Sequence, residues 1–280
     1  MNGVRSEDGR EIGDSPRALV VTAPGTNCDG ELTRAFAEAG ARPESVLLSR
    51  LRREPSIVDR FDLIGLPGGF SYGDDAGAGR ILAQLLRQDL YPALAEAIAR
   101  GVPMIAPCNG FQIAVQAGLL PGPVQGQPWP TEPARPIVAL APNTRGRFRD
   151  DWTLVEIPAD TRCVWTRGIV GVDAAACLLP SAHGEGRFVA DESVVAKLVE
   201  SGQVALRYAA DRNFNGSIDR IAGICDASGL VLGLMPHPER YTRWTQHPTW
   251  TRLSPETRDG ETLGLRMFRN AVRHASMSTA

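Results

Sequence analysis

The first half of the chain alternates between short apolar runs and segments in which apolar side chains recur every three or four positions. Runs of apolar and β-branched residues between turn residues predict strands, and the longer period predicts helices. Strands are predicted at residues 18–22, 45–48, 61–66 and 102–106, and helices at 31–39, 81–100 and 111–117. Strands that alternate with helices at this spacing predict an α/β fold, with a doubly wound, mostly parallel sheet and helices on both faces.

The second half follows a different pattern. Residues 121–136 include six prolines and show no hydrophobic period, which predicts an extended surface loop. Beyond it, short apolar runs separated by turn signals such as Asn215-Gly216 predict a strand-rich C-terminal half. Its predicted strands are 152–157, 163–165, 204–208, 221–225 and 231–235, and a closing helix is predicted at 261–274. Because no repeat or linker divides the chain, a single domain is expected over residues 17–275.

Composition narrows the classes of function. The chain has 280 residues and a net charge of -2, so it lacks the basic field that binds nucleic acid or an anionic membrane. No apolar run approaches the roughly 18 residues that span a bilayer. Residues 1–16 are charged and lack an apolar core, which predicts a disordered tail and not a signal peptide. Five scattered cysteines, an odd number, favour a reducing compartment, so a cytoplasmic protein is expected.

Cys108 lies where the fourth predicted strand ends and a helix begins. A nucleophile on a tight strand-to-helix turn is lifted above the sheet, and the helix N-terminus below it stabilises a thiolate. Gly110 permits a sharp turn, and Pro107 favours extended backbone before it. The alternative is a buried cysteine that acts as a small apolar residue.

The remaining cysteines are weaker candidates for a nucleophile. Cys28 also links a strand to a helix, but Asp29 beside it would raise the thiol pKa, so Cys28 is interpreted as structural or site-lining. Core packing is expected for Cys163, Cys177 and Cys225.

His237 is the best candidate base among the four histidines. A proline on each side is expected to hold the backbone extended, so that His237 and Glu239 project to the same side. The carboxylate could then fix the imidazole tautomer while the other ring nitrogen faces a thiol. A solvated turn is the alternative for an isolated His-x-Glu. His247 and His274 are expected at the surface.

Backbone donors for an oxyanion are predicted at two places. Gly68 and Gly69 follow the third strand and can expose bare amides, and Asn109 follows Cys108 directly. A Pro-Gly-Gly turn alone means little, but this one lies at the carboxyl end of a strand, where doubly wound sheets bind ligands. The residues by themselves therefore predict cysteine-based acyl transfer.

A set of motifs in fixed order resembles the class I (triad) glutamine amidotransferases, which have a flavodoxin-like fold, and within them the glutaminase subunits of phosphoribosylformylglycinamidine synthase. The motifs are Pro-Gly-Thr-Asn-Cys-Asp at 24–29, Pro-Gly-Gly-Phe-Ser-Tyr-Gly-Asp at 67–74, Cys-Asn-Gly-Phe-Gln at 108–112, Ala-His-Gly-Glu-Gly at 182–186, Asn-Gly-Ser at 215–217 with Ile-Ala-Gly-Ile-Cys at 221–225, and Met-Pro-His-Pro-Glu-Arg at 235–240. Together they span about residues 18–272.

The resemblance implies hydrolysis of L-glutamine through a cysteinyl thioester, with ammonia passed to a separate ATP-dependent synthetase subunit in purine biosynthesis. It implies Cys108 as nucleophile, His237 as base and Glu239 as its orienting carboxylate. The implied oxyanion and substrate-binding residues are Gly68, Gly69, Asn109, Gln112, His183 and Gly184. A small accessory subunit is a further expected partner. No cofactor or metal is expected on this chain, since ATP and Mg belong to the synthetase.

The chain departs from the family at three places. Ala106-Pro107 stands where glycine and an aliphatic residue are common, and Asp75-Ala76 replaces a stretch that often carries an aromatic residue. Residues 241–258, with Trp244 and Trp250, form a longer link than usual. Exposed Trp and Arg are typical interface anchors, so this insert is hypothesised to meet the synthetase.

Three alternatives remain open. The chain could be the glutaminase of another class I amidotransferase. It could also be a cysteine hydrolase or chaperone-like relative acting on peptides or aldehydes, although such relatives often carry His where Asn109 stands. A non-catalytic binding module would be expected to lack one of the three catalytic side chains, and all three are present.

Overall fold

The computed structural model describes residues 15–169 and 173–278, so the tail predicted at 1–16 lies almost wholly outside the described residues. The strands are β1 (Arg17–Thr22), β2 (Arg42–Leu47), β3 (Leu63–Gly65), β4 (Met104–Pro107), β5 (Val138–Pro142), β6 (Arg149–Glu156), β7 (Leu178–His183), β8 (Glu185–Ala190), β9 (Val204–Tyr208), β10 (Ile221–Cys225) and β11 (Val231–Leu234). The α-helices are α1 (Asp29–Glu38), α2 (Leu48–Arg53), α3 (Arg80–Asp89), α4 (Tyr91–Ala99), α5 (Asn109–Gln116), α6 (Glu192–Glu200) and α7 (Leu263–Ser278).

Nine of these strands form one mixed sheet in the order β2-β1-β3-β4-β11-β10-β9-β6-β7, and β5 pairs with β8 in a separate ribbon. β2, β1, β3, β4 and β11 run parallel to one another. The strands from β10 to β7 extend the same sheet in antiparallel fashion. The predicted α/β class is confirmed, and the strand-rich second half is an extension of the parallel sheet.

Within the parallel region, the order in which successive strands are added to the sheet reverses. β1 connects to β2 on one side through α1, whereas β3 connects to β4 on the other side through α3 and α4. Since such crossovers are right-handed, the two sets of helices lie on opposite faces of the sheet. The reversal falls between neighbours β1 and β3, and open α/β sheets bind ligands beyond the carboxyl ends of strands at such a point.

An aromatic cluster holds the first and last helices together on one face. Phe36 of α1 and Phe268 of α7 meet edge to face, with 5.2 Å between ring centroids. Trp165 packs against Phe268 at 5.8 Å, and its indole N–H donates to the Leu230 carbonyl oxygen at 2.9 Å. All three rings are fully buried. The C-terminal helix is therefore built into the core beside the N-terminal βαβ unit.

Two predicted elements are wrong. The helix predicted at 81–100 is two helices, α3 and α4, that break at Leu90. Pro92 lies in the first turn of α4, where a residue without an N–H is tolerated. In the interior of one continuous helix the same proline would remove a backbone hydrogen bond and break the helix. The strand predicted at 163–165 is a turn, which the Val164 N–H fixes by donating to the Gly229 carbonyl oxygen at 2.8 Å.

Several elements were not predicted. Pro180 lies inside β7, and charged residues interrupt the apolar alternation of β8. β5, α2 and α6 also lie in stretches where no prediction was made. Across the described part of the chain, no helix combines the length and the apolar character needed to cross a bilayer.

The insert at 241–258 folds back onto the body of the protein. His247, expected at the surface, is only 2% exposed, so that prediction is wrong. It packs against the rings of Trp152 and Tyr241 and bonds the Ala175 carbonyl oxygen through Nε2 at 2.9 Å. Trp244 donates its indole N–H to the Gly260 carbonyl oxygen. Much of the aromatic surface of the insert is therefore used internally.

We expect Trp165→Ala to lower the free energy of unfolding by about 3–5 kcal/mol, because it removes a fully buried ring and the hydrogen bond from its indole N–H to the Leu230 carbonyl oxygen. Urea denaturation followed by circular dichroism measures this change. The matched control is Trp250→Ala, at a ring that is 37% exposed, which should cost less than about 1 kcal/mol. Equal losses in the two variants would contradict the central role given to the cluster.

Candidate active site

Cys108 occupies a strained turn between β4 and α5. Its backbone has φ of 52° and ψ of -110°, a conformation that residues with a side chain rarely adopt. Such strain costs of order 1–3 kcal/mol and collects at functional sites. The Cys108 N–H donates to the Leu234 carbonyl oxygen of β11 at 2.7 Å. A Cβ added at Gly110 would lie 2.0 Å from the Leu66 carbonyl oxygen, so only glycine allows α5 to start this close to β3.

His237 lies beside this turn because β11 is the neighbour of β4 in the sheet. Its backbone N–H donates to the Pro180 carbonyl oxygen of β7 at 2.7 Å, which fixes the segment after β11. Its Nδ1 donates to Glu239 Oε1 at 2.6 Å, and the side chain is also hydrogen-bonded to Cys108. The structure therefore brings the three side chains together in the order Cys108, His237, Glu239.

The backbone around Glu239 differs from the prediction. Residues Pro238–Arg240 form a short helical turn instead of continuing extended, because proline at the first helical position suits this geometry. The turn places the carboxylate next to the imidazole ring of His237. The pairing of the two side chains was anticipated, but the reason given for it was wrong.

The electrostatics of His237 are set by its two partners. Burial alone would lower the pKa of the imidazole, but the negative charge of Glu239 and the neighbouring Cys108 sulfur, with hydrogen bonds to both, raise it to about 10. His237 and Glu239 are both buried. The ring is therefore held in its protonated form over the physiological pH range.

Backbone amides from two loops reach the same edge of the sheet. Gly69 has φ of +125°, and a Cβ there would lie 2.6 Å from the Asn27 backbone nitrogen. A Cβ at Gly68 would lie 3.1 Å from His237 Cε1, so this loop passes directly beside the base. Within the part of the chain that the structure describes, the N–H groups of Gly69 and Asn109 have no hydrogen-bond partner. They remain available as donors.

A cavity of about 360 Å³ opens over Cys108. Six of the residues singled out from the sequence line it, and the other three, Gly68, Asn109 and Glu239, lie behind this wall. The six are Gly69, Cys108, Gln112, His183, Gly184 and His237. The geometry therefore gathers the whole predicted set around one space, but the role of each residue remains a prediction.

The side chains expected to bind the ends of the substrate are engaged internally. Gln112 donates to the Glu185 carbonyl oxygen and accepts from Asn109 Nδ2 at 2.9 Å. His183 Nδ1 donates to Asn143 Oδ1 at 3.1 Å, since the amide nitrogen of Asn143 already donates to two backbone carbonyls. Burial and the nearby His237 lower the pKa of His183 to about 4. A neutral His183 supplies no positive charge for a carboxylate.

Cys28 and Arg240 are site residues whose roles the sequence did not define. Arg240 Nη2 donates to Cys28 Sγ at 2.9 Å, and both side chains line the cavity. Burial, followed by the charge of Glu239, raises the pKa of Cys28 to about 12. Asp29 is not among the causes, so the reason given from the sequence was wrong. The adjacent Arg in Pro-His-Pro-Glu-Arg was the available signal for this contact.

Cys28, His237 and Glu239 also form the one cluster of metal-ligating side chains found in the described ranges, with donor atoms within 4.8 Å of one another. The guanidinium of Arg240 contacts the thiol of this cluster. A fixed positive charge at one of three donors opposes binding of a cation there.

Comparison with known proteins agrees with this geometry. Residues 15–275 match the family described as the CobB/CobQ-like glutamine amidotransferase domain. The phosphoribosylformylglycinamidine synthase subunit PurQ of Dehalococcoides mccartyi is 39% identical over 267 residues, which cover 92% of this chain and 97% of that protein. The corresponding subunit of Treponema denticola is 40% identical, over 80% of this chain and 87% of that protein.

Solved structures agree as well. The structure of PurLQS from Thermotoga maritima includes a chain with 32% identity and a TM-score of 0.63, with 92% of this chain and 98% of that chain covered. The chain therefore belongs to the CobB/CobQ-like glutamine amidotransferases. Within that family it falls with the glutaminase subunits of phosphoribosylformylglycinamidine synthase, as the ordered motifs implied.

We expect Glu239→Gln to lower the pKa of His237, because it removes the negative charge that opposes the effect of burial. Between the unfolded histidine pKa of about 6.5 and the folded value of about 10, the native protein binds more protons than the unfolded chain. Stability should therefore fall as pH rises through this window, and the fall should be smaller in Glu239→Gln.

An NMR titration of the His237 ring gives the pKa, and urea midpoints across the same pH range give the stability. Cys108→Ala is the control that separates the contribution of the Cys108 side chain to the His237 pKa from that of the carboxylate. A His237 pKa that stays the same in Glu239→Gln would show that the carboxylate does not set the charge of the ring.

Proposed function

We propose that this chain hydrolyses L-glutamine to glutamate and ammonia through a thioester at Cys108. The observation that carries the proposal is the strained Cys108 turn joined to the buried His237–Glu239 pair, with 2.6 Å between Nδ1 and Oε1. His237 and the turn line one cavity, with Glu239 behind the imidazole, and two backbone N–H groups without a partner among the described residues lie at the same edge. This set suits acyl transfer, which needs a nucleophile, a proton carrier and a site for the oxyanion.

In the first half of the reaction, the Cys108 thiolate attacks the side-chain amide carbon and an S–C bond forms. The carbonyl oxygen becomes an oxyanion, which the N–H groups of Gly69 and Asn109 can stabilise. As the intermediate collapses, the C–N bond breaks and protonated His237 gives its proton to the leaving nitrogen. Ammonia departs and the γ-glutamyl thioester remains on Cys108.

In the second half, water attacks the thioester while neutral His237 takes a proton from it. The S–C bond breaks, glutamate leaves, and the imidazolium–thiolate pair is restored. Glu239 acts throughout by holding Nδ1 as the donor and by stabilising the imidazolium. Its burial keeps this interaction strong, because little water screens the charges.

We propose further that the ammonia passes to an ATP-dependent synthetase subunit within an assembly that corresponds to PurLQS, with a small accessory subunit as the third partner. The hydrolysis written above uses only groups of this chain, glutamine and water, and we assign ATP and Mg to the synthetase. The rim of the cavity supports a covering partner, because Phe70 and Phe148 line it and are 49% and 56% exposed. Aromatic residues of this kind anchor protein interfaces.

Two further placements belong to the same proposal. The ring of Trp250 is 37% exposed, with Arg258 over it at 5.9 Å, and offers an aromatic side chain of the insert to a partner. We place the assembly in the cytoplasm, where the free cysteines of this chain stay reduced.

The test is glutamate formation from L-glutamine by the chain assembled with its synthetase. Cys108→Ala should reduce the rate by at least about 10⁴-fold, because it removes the nucleophile of a cooperating triad. Cys28→Ala is the matched control, a buried cysteine in the same cavity, and should retain glutaminase activity. Equal activities of the two variants would defeat the assignment of Cys108.

Free ammonium salts test the division of labour between the chains. With ammonium chloride in place of glutamine, the complex that carries Cys108→Ala should form the amidine product at close to the wild-type rate, because the synthetase half of the reaction does not use Cys108. Amidine formation would be followed by chromatography. Loss of ammonia-dependent synthesis in this variant would mean that Cys108 takes part in more than glutamine hydrolysis.

A further inference from the structure

Asp74 is presented to the catalytic cavity by an unusual stretch of backbone. Tyr72, Gly73 and Asp74 have φ angles of 54°, 70° and 53°, so three consecutive residues are left-handed. Two of the three carry side chains that disfavour this region. The backbone is therefore strained at the place where Asp74 lines the cavity.

Hydrogen bonds fix the Asp74 carboxylate relative to the nucleophile. Oδ1 accepts from the Gly79 N–H at 3.2 Å and from Asn109 Nδ2 at 3.4 Å. Asn109 follows Cys108 directly, and its own amide oxygen accepts from Ser71 Oγ at 2.8 Å. One oxygen of Asp74 is thus anchored to the catalytic turn, while Oδ2 takes part in no hydrogen bond with the residues that the structure covers.

The carboxylate also lacks a counter-ion. No Arg, Lys or His of the described ranges forms an ion pair with Asp74. The two cationic side chains that line the cavity have other partners: Arg240 contacts Cys28 and lies 3.6 Å from Glu31, and His237 pairs with Glu239. Burial raises the pKa of Asp74, which is the direction expected for a carboxylate without a positive partner. A cationic ligand would supply that partner.

The other two carboxylates of the cavity are less suitable. Asp150 and Glu185 also line it, but both residues are exposed. Their side chains make no hydrogen bond to the rest of the described chain, so nothing holds them in one position. Asp74 is the carboxylate that is both half-buried and anchored.

We propose that Asp74 binds the α-ammonium group of L-glutamine and thereby selects an α-amino acid over a simple amide. This inference rests on the proposed glutaminase function and concerns which end of the substrate the same site recognises. The α-ammonium group carries one positive charge and three N–H donors, which match an anchored carboxylate with a free oxygen. Because Asp74 is bonded to Asn109, occupancy of this subsite bears directly on the turn that holds Cys108.

The test compares L-glutamine with glutaramate, which has the same chain and amide but no α-amino group. Ammonia release would be measured with the chain assembled with its synthetase. In the wild type, kcat/KM for glutamine should exceed that for glutaramate by about 100-fold, the range expected for a lost charge-assisted hydrogen bond. Asp74→Asn should lower kcat/KM for glutamine by about 30- to 100-fold, mainly through KM, and that for glutaramate by less than about 3-fold.

Asp75→Asn is the matched control, because Asp75 is the exposed neighbour and does not line the cavity; it should leave the discrimination ratio unchanged. Equal loss on both substrates in Asp74→Asn would make Asp74 a structural residue and overturn the inference. Collapse of the ratio in Asp150→Asn instead would move the subsite to Asp150. A wild-type ratio near one would overturn the inference without any variant.

The proposed function can fail separately. If the wild-type assembly does not release ammonia from L-glutamine at all, the glutaminase assignment falls whatever Asp74 does. If glutamine is hydrolysed and Asp74→Asn keeps the wild-type ratio, only the role of Asp74 is lost.

Discussion

The site depends on how closely the backbone after β4 approaches the backbone after β3. Gly110 has no space for even one methyl group, because the Leu66 carbonyl oxygen occupies it. α5 begins directly after Cys108, and Cys108 accommodates the change of chain direction with a positive φ of 52°. One half of the site belongs to this turn, since Cys108 and the Asn109 amide lie in it and Asp74 is hydrogen-bonded to Asn109.

The other half of the site comes from the middle of the sheet. β11 lies between β4 and the antiparallel strands, so His237, in the segment just after this buried strand, lies beside Cys108. Glu239 then offsets the burial of the imidazole, and its negative charge decides that the ring is protonated. Burial lowers the pKa of His237 and the Glu239 carboxylate raises it, and the balance of the two effects sets the charge of the ring.

Much of the site was accessible from the sequence because its information is local. Cys108 sits in a five-residue motif at a strand end, and His237 and Glu239 are two residues apart. The contact of Arg240 with Cys28 was not accessible, because it joins residues more than two hundred positions apart through tertiary packing. The burial of His247 depends likewise on rings from β6 and from the insert. The break at Leu90 was signalled by Pro92, but the apolar period across it was continuous.

The pairing of β4 with β11 has a consequence for synthesis of the chain. The nucleophile and the base are separated by more than a hundred residues, yet Cys108 is held by a hydrogen bond to Leu234. A nascent chain that has emerged only as far as the proline-rich loop contains β3 and the elbow sequence, but it lacks β11 and the base. The nucleophile and the base can therefore meet only after β11 has been synthesised and has paired with β4.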